Sequence, residues 1–203
     1  RFEDALYHAR LAVSLDPRYH PGLIAEANAR LSLLDYDGAV DTLSAALRIR
    51  PDDPETLYAL GTAYALAGRN DEALRSYTAV FRSRRDDEIT RYALEQLVKD
   101  ETEMDHPLRK SLADYHLQRG REYEERFLLT KALREYRLAV QLDPANPVYR
   151  RDYAEVFNIL GYPAKYLSEL EVIAAEGAAD ISISDELEIQ RSLQESGVAR
   201  RWG

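Results

Sequence analysis

The stretch 54-PETLYALGTAYALAGRNDEALRSYTAVFRSRRDD-87 holds two amphipathic helices and the turn between them. Leu57, Leu60 and Tyr64 recur at helical spacing on one face. Gly68-Arg69-Asn70-Asp71 then supplies a turn and a new helix start, and Ala73 and Tyr77 continue the apolar face beyond it. Working outward, 113-ADYHLQRGREYEERFLLTKALREYRLAVQLDPAN-146 has the same layout. Gly61 to Gly120, Tyr64 to Tyr123, Ala73 to Ala132 and Tyr77 to Tyr136 are each separated by 59 residues. A shorter spacing of 34 joins Ala5, Ala39 and Ala73, Ala12 and Ala46, and Pro17 and Pro51. Landmarks sharing fixed offsets mark a repeated structural unit.

The residues give that unit its physics. Gly61 and Gly120, with Ala27 and Ala154 at the same position, are small enough for two helices to approach closely. Tyr64, Tyr77, Tyr123 and Tyr136 are expected to fill the space between neighbouring pairs. Asp16-Pro17, Arg50-Pro51 and Asp143-Pro144 stop the second helix, because proline cannot continue it and disfavours an α conformation before it. Asp35-Tyr36-Asp37 supplies a further turn and helix start.

This pattern resembles the tetratricopeptide repeat family, whose unit reads L-G-x2-Y, then A-x3-F, then P. The resemblance implies an all-α chain: a right-handed helical-repeat solenoid of antiparallel helix pairs, closed by a C-terminal capping helix. In that register residues 2–15 are a half repeat, 20–53 and 54–87 are repeats, and 88–99 is a first helix, forming an N-terminal block over 1–99. An acidic linker covers 100–106. The C-terminal block, 107–203, holds repeats 113–146 and 147–180 and a capping helix from about 184 to 195, with Ser182 or Ser184 as its cap. Pro107 suits the first turn of a helix running long, through Leu108, Leu112 and Tyr115 to about Glu125. One second helix is therefore expected to be lost or shortened between 88 and 112, as a hinge or as a deletion that the stack tolerates.

The chain has 203 residues and a net charge of −9, spread evenly. Such a chain repels phosphate backbones, so nucleic acid is not expected as a partner. No run reaches the roughly 18 apolar residues of a membrane span, so no direct membrane insertion is expected. Without cysteine there is no disulfide, thiolate metal site or cysteine nucleophile. Residues 1–203 read as a fragment of a longer chain, and the compartment, cytoplasmic or periplasmic, is left open. His8, His20, His106 and His116 lack metal-ligand spacing, and His8 and His116 read as helix packing or surface residues. Glu122, Glu124 and Glu125 read as a solvated helix face. No catalytic residue, cofactor or metal is expected, and no enzyme in this fragment.

A stacked array offers an extended concave surface. The resemblance implies that first helices line it, here through Ile24 and Asn28, Tyr58 and Thr62, Tyr92 and Gln96, Leu117 and Arg121, and Arg151 and Glu155. Tyrosines in such a groove suit recognition, because they bury much area at low entropic cost. Arg121 and Arg151 would pair with an acidic partner segment, or else with Asp114, Asp152 or Glu155. Family members that hold chaperone tails use a carboxylate clamp; Asn28 matches one of its positions, whereas Ile24, Ala59, Ile89 and Ala93 break the rest. The expectation is a non-catalytic scaffold or adaptor that binds a peptide or helix of another protein. The alternatives are a structural spacer or self-associating domain of a larger bacterial protein or envelope complex, and the regulatory domain of an enzyme encoded outside the fragment.

Overall fold

The computed structural model describes residues 1–177 and 181–195, and among them the secondary structure is entirely helical. Eleven α-helices follow in order: α1 Phe2–Leu15, α2 His20–Ser32, α3 Tyr36–Ile49, α4 Pro54–Leu66, α5 Asn70–Ser83, α6 Glu88–Glu101, α7 Pro107–Glu125, α8 Leu129–Leu142, α9 Pro147–Ile159, α10 Pro163–Ala175 and α11 Ile181–Glu195. They form two compact units, Arg1–Thr102 and Glu103–Gly203. In the first, α2 pairs with α3 and α4 with α5, while α1 packs on α2 and α6 on α5. In the second, α7 pairs with α8 and α9 with α10, and α11 packs on α10. The fold is an all-α helical repeat.

Local chemistry sets the boundaries. Asp35, Asp53, Asp87 and Asn146 each accept a hydrogen bond from a backbone N–H of the first turn that follows, satisfying a donor the helix cannot. Pro54, Pro107, Pro147 and Pro163 open their helices, where the missing N–H costs nothing. Helix α6 runs through Asp100 and Glu101, so the acidic segment is helical up to there. A single helix of 19 residues, α7, lies between α6 and α8. The last helix begins at Ile181, ahead of Ser182 and Ser184, so Ser184 lies inside it and not at its cap. The single tryptophan of the sequence, Trp202, lies outside the described residues.

Each pair closes on a matched contact. Gly61 is buried, and a Cβ there would meet the Tyr77 ring at 2.7 Å. Gly120 faces the ring of the fully buried Tyr136 even more tightly. In the outer repeats the same two positions hold Ala27 with Leu43 and Ala154 with Leu170, each pair within one core cluster. The tyrosines at these positions therefore fill the gap inside their own pair. A residue with positive φ joins first to second helix in each repeat: Leu34 (63°), Gly68 (72°), Phe127 (55°) and Gly161 (77°).

Candidate binding surface

In the N-terminal unit, the first-helix residues separate into two kinds. Ile24 is half-buried and packs on the cluster of Ala27, Ala39 and Leu43, so it belongs to the core edge. Asn28 is exposed. Tyr58 is half-buried, its ring 5.7 Å from that of Tyr77. Thr62 spends its hydroxyl internally, 3.1 Å from the Tyr58 carbonyl and 3.1 Å from the Tyr77 phenol. On α6, Gln96 is half-buried and Tyr92 is 64% exposed. Tyr58 and Tyr92 occupy equivalent places but differ in burial, because α6 is the last helix of its unit and has no counterpart of Tyr77 after it there. A pocket of about 210 Å³ is lined by Tyr58 and Ile89 with Pro54 and Thr90, and by the charged Glu55, Arg84 and Asp87. Ile89 is 68% exposed, one turn before Tyr92.

Two threonines at equivalent positions differ in their surroundings. The Thr56 hydroxyl donates to Asp53 Oδ2 (2.6 Å) and lies 3.1 Å from His20 Nε2. Burial works against the Asp53 charge, but the Thr56 hydroxyl and amide outweigh it and hold the carboxyl below its usual range. Thr90 is as deeply buried, yet its hydroxyl has no hydrogen-bond partner. Pro54 stands 34 residues after His20 and has no side-chain nitrogen to offer a hydrogen bond.

In the C-terminal unit, Leu117 is half-buried against Ala132, Tyr136 and Val156, again at the edge of the core. Arg121 is exposed but engaged: its Nε donates to Asp152 Oδ2 at 2.7 Å, and that bond raises the guanidinium pKa further. Arg151 is exposed on α9. Glu155 is half-buried and accepts a hydrogen bond from the Tyr166 phenol at 3.0 Å. Arg121, Asp152 and Glu155 meet in an open pocket of about 550 Å³. Its other acidic walls are Glu124 and Glu125, and its apolar side is Phe127, Leu129 and Ile159.

Reading these glutamates as a solvated face misplaces Glu124, which is half-buried and accepts a 2.6 Å hydrogen bond from the Tyr136 phenol. Burial first, and then that carboxylate, push the Tyr136 pKa well above the usual phenol range. Tyr166 is raised by burial and by Glu155, and Tyr149 by burial and by Asp114, to which it donates at 2.6 Å. Phe127 and Ile159 carried no motif. The signal that locates Phe127 is positional: it lies 59 residues after Gly68 and 34 before Gly161, at the turn. His116 is buried, its Nδ1 2.7 Å from Glu135 Oε2. Among the described residues no helix is long and apolar enough to cross a membrane.

Residues 27–68 match the family model for the TPR repeat. No curated protein matches the sequence. Among solved structures the chain is similar to YrrB, a TPR protein with an unusual peptide-binding site, at 16% identity and a TM-score of 0.47, over 96% of this chain and 84% of that one. It is also similar to a tetratricopeptide repeat protein from Parabacteroides merdae, at 13% identity and a TM-score of 0.47, over 100% and 87% of the two chains. A third likeness is to MamA from Desulfovibrio magneticus, at 17% identity and a TM-score of 0.42, over 78% and 94%.

Proposed function

We propose that this chain of tetratricopeptide repeats is a non-catalytic scaffold that binds a peptide or helical segment of another protein along its first helices. The observation that carries the reading is the apolar group in the N-terminal unit. Tyr58 and Ile89 flank one pocket, and Tyr92 follows one turn later, with Ile89 and Tyr92 each more than 60% exposed. Large apolar side chains held outward on rigid helices offer area without an ordering cost, which suits recognition. The test is capture of partners with the wild-type chain and with a Tyr58→Ala, Tyr92→Ala variant of matched melting temperature. A partner held by the wild type and lost by the variant is expected. Identical capture by both would refute this surface.

A second observation favours self-association. Helix α1 exposes Tyr7, Leu11 and Leu15 along one stripe, with Leu15 at 81%. Contiguous exposed apolar side chains mark contact surfaces. Sedimentation velocity of the wild type against Tyr7→Ser, Leu11→Ser separates the two: a dimer abolished by the pair supports association through α1, and a monomer in both removes it.

A further inference from the structure

Resting on the peptide-binding reading, we propose that the pocket lined by α7 and α9 is a subsite for an arginine or lysine side chain of the partner peptide, flanked by apolar residues. Its walls carry four carboxylates, Glu124, Glu125, Asp152 and Glu155, against the single cation Arg121. Arg121 is spent on Asp152 at 2.7 Å, so the described walls keep a net charge of −3. The phenols of Tyr136 and Tyr166 anchor Glu124 and Glu155 in place by hydrogen bonds from uncharged donors, which orient the carboxylates and leave their charge intact. This pocket therefore repels the acidic segment that exposed arginines would suggest from sequence, and attracts a cation.

The apolar side fits the same ligand. Phe127 is 84% exposed, so its ring gains little from the core. It also sits in the left-handed region at φ 55°, where the equivalent Gly68 and Gly161 are unstrained. Leu34 shares that conformation at the equivalent turn, so what sets Phe127 apart is its place in the wall of the pocket. At the rim of an acidic pocket, its ring offers a face for a guanidinium or ammonium group, and Leu129 and Ile159 offer contact for the alkyl stem and its neighbours. The volume, about 550 Å³, accommodates one long cationic side chain with an adjoining apolar one.

The experiment measures fluorescence anisotropy of three dye-labelled heptapeptides, ALRLRFA, ALQLQFA and ALELEFA, against the whole 203-residue chain. The basic peptide is expected to bind tightest, with an affinity that weakens as salt rises. Glu125→Gln and Phe127→Gly should each weaken it about fivefold or more, while Phe127→Gly also raises the melting temperature by removing backbone strain. Stability and affinity then move in opposite directions, which a purely structural Phe127 would not produce. A basic peptide that binds no tighter than the acidic one, or affinity unchanged in both variants, overturns the subsite. If the neutral or acidic peptide binds instead, the subsite fails while the peptide-binding reading stands. If these peptides and a random heptapeptide library all fail, that reading falls and takes the subsite with it.

Discussion

Leu34 sits at φ 63° with 70% of its surface exposed, in the turn where Gly68 and Gly161 take the same conformation. Its Cβ is strained there and its side chain has almost no core to enter. Relief of an L residue from this region outweighs the backbone entropy of glycine, so Leu34→Gly should stabilise the chain by about 0.5–1 kcal/mol, seen as a higher melting temperature. The two threonines give a paired prediction at the same scale. Thr56→Val removes a buried hydroxyl bonded to Asp53 and facing His20, and should cost about 1–3 kcal/mol in denaturant melts. Thr90→Val removes a hydroxyl with no partner and should be neutral or mildly stabilising. Sequence alone could not tell these apart, since Thr-containing helix starts preceded by aspartate look identical at both sites. The two sites differ in the carboxylate, since Asp87 takes the Thr90 amide and not its hydroxyl, and in the neighbour at position 54, where proline stands in place of the preceding repeat's histidine.

Between paired helices the fit is one of allotted volume. Gly61 and Gly120 face tyrosine rings, whereas Ala27 and Ala154 share their clusters with leucines. Gly120→Ala should therefore destabilise the C-terminal unit by about 1–3 kcal/mol, because the added methyl enters the Tyr136 ring. Adding Tyr136→Leu should recover part of that loss, and a double-mutant cycle by urea melts would show a favourable coupling. Additive effects would sink this account. The pairs themselves were legible, because glycine, alanine and tyrosine spacing survives in the sequence. What was not legible is where the polar ends of those tyrosines go. The phenol of Tyr136 reaches Glu124, 12 residues earlier across the turn, and that of Tyr166 reaches Glu155. Such bonds depend on helix rotation and side-chain reach, which periodicity does not encode. Ile24 and Leu117 show the same limit from the other side: a register position that faces a groove in general faces the core edge here, because each has an apolar cluster beside it.

For the molecule as a whole, phenols kept neutral in the folded state make stability fall with alkalinity. Tyr136, Tyr149 and Tyr166 all have pKa values raised above the ordinary phenol range by burial and by carboxylates. In the unfolded chain they ionise near pH 10. Above that pH the unfolded state binds fewer protons than the native state, so the stability present below about pH 10 is lost as pH rises, by up to ~1.4 kcal/mol per pH unit per tyrosine. Melts between pH 9 and 11.5 should show this decline, shallower in Tyr136→Phe; an unchanged slope in that variant would remove Tyr136 from the account. The matched pairs carry one more consequence, for how such a gene can be edited. A splice between repeats, near Pro51 or Pro144, transfers both halves of a fit together. A splice inside a repeat, at Gly68 or Phe127, joins halves from different lineages and sets glycine against leucine, leaving a hole, or alanine against tyrosine, forcing an overlap. A chimera cut at the prolines therefore keeps each fit whole, so parts are best exchanged as complete two-helix cassettes.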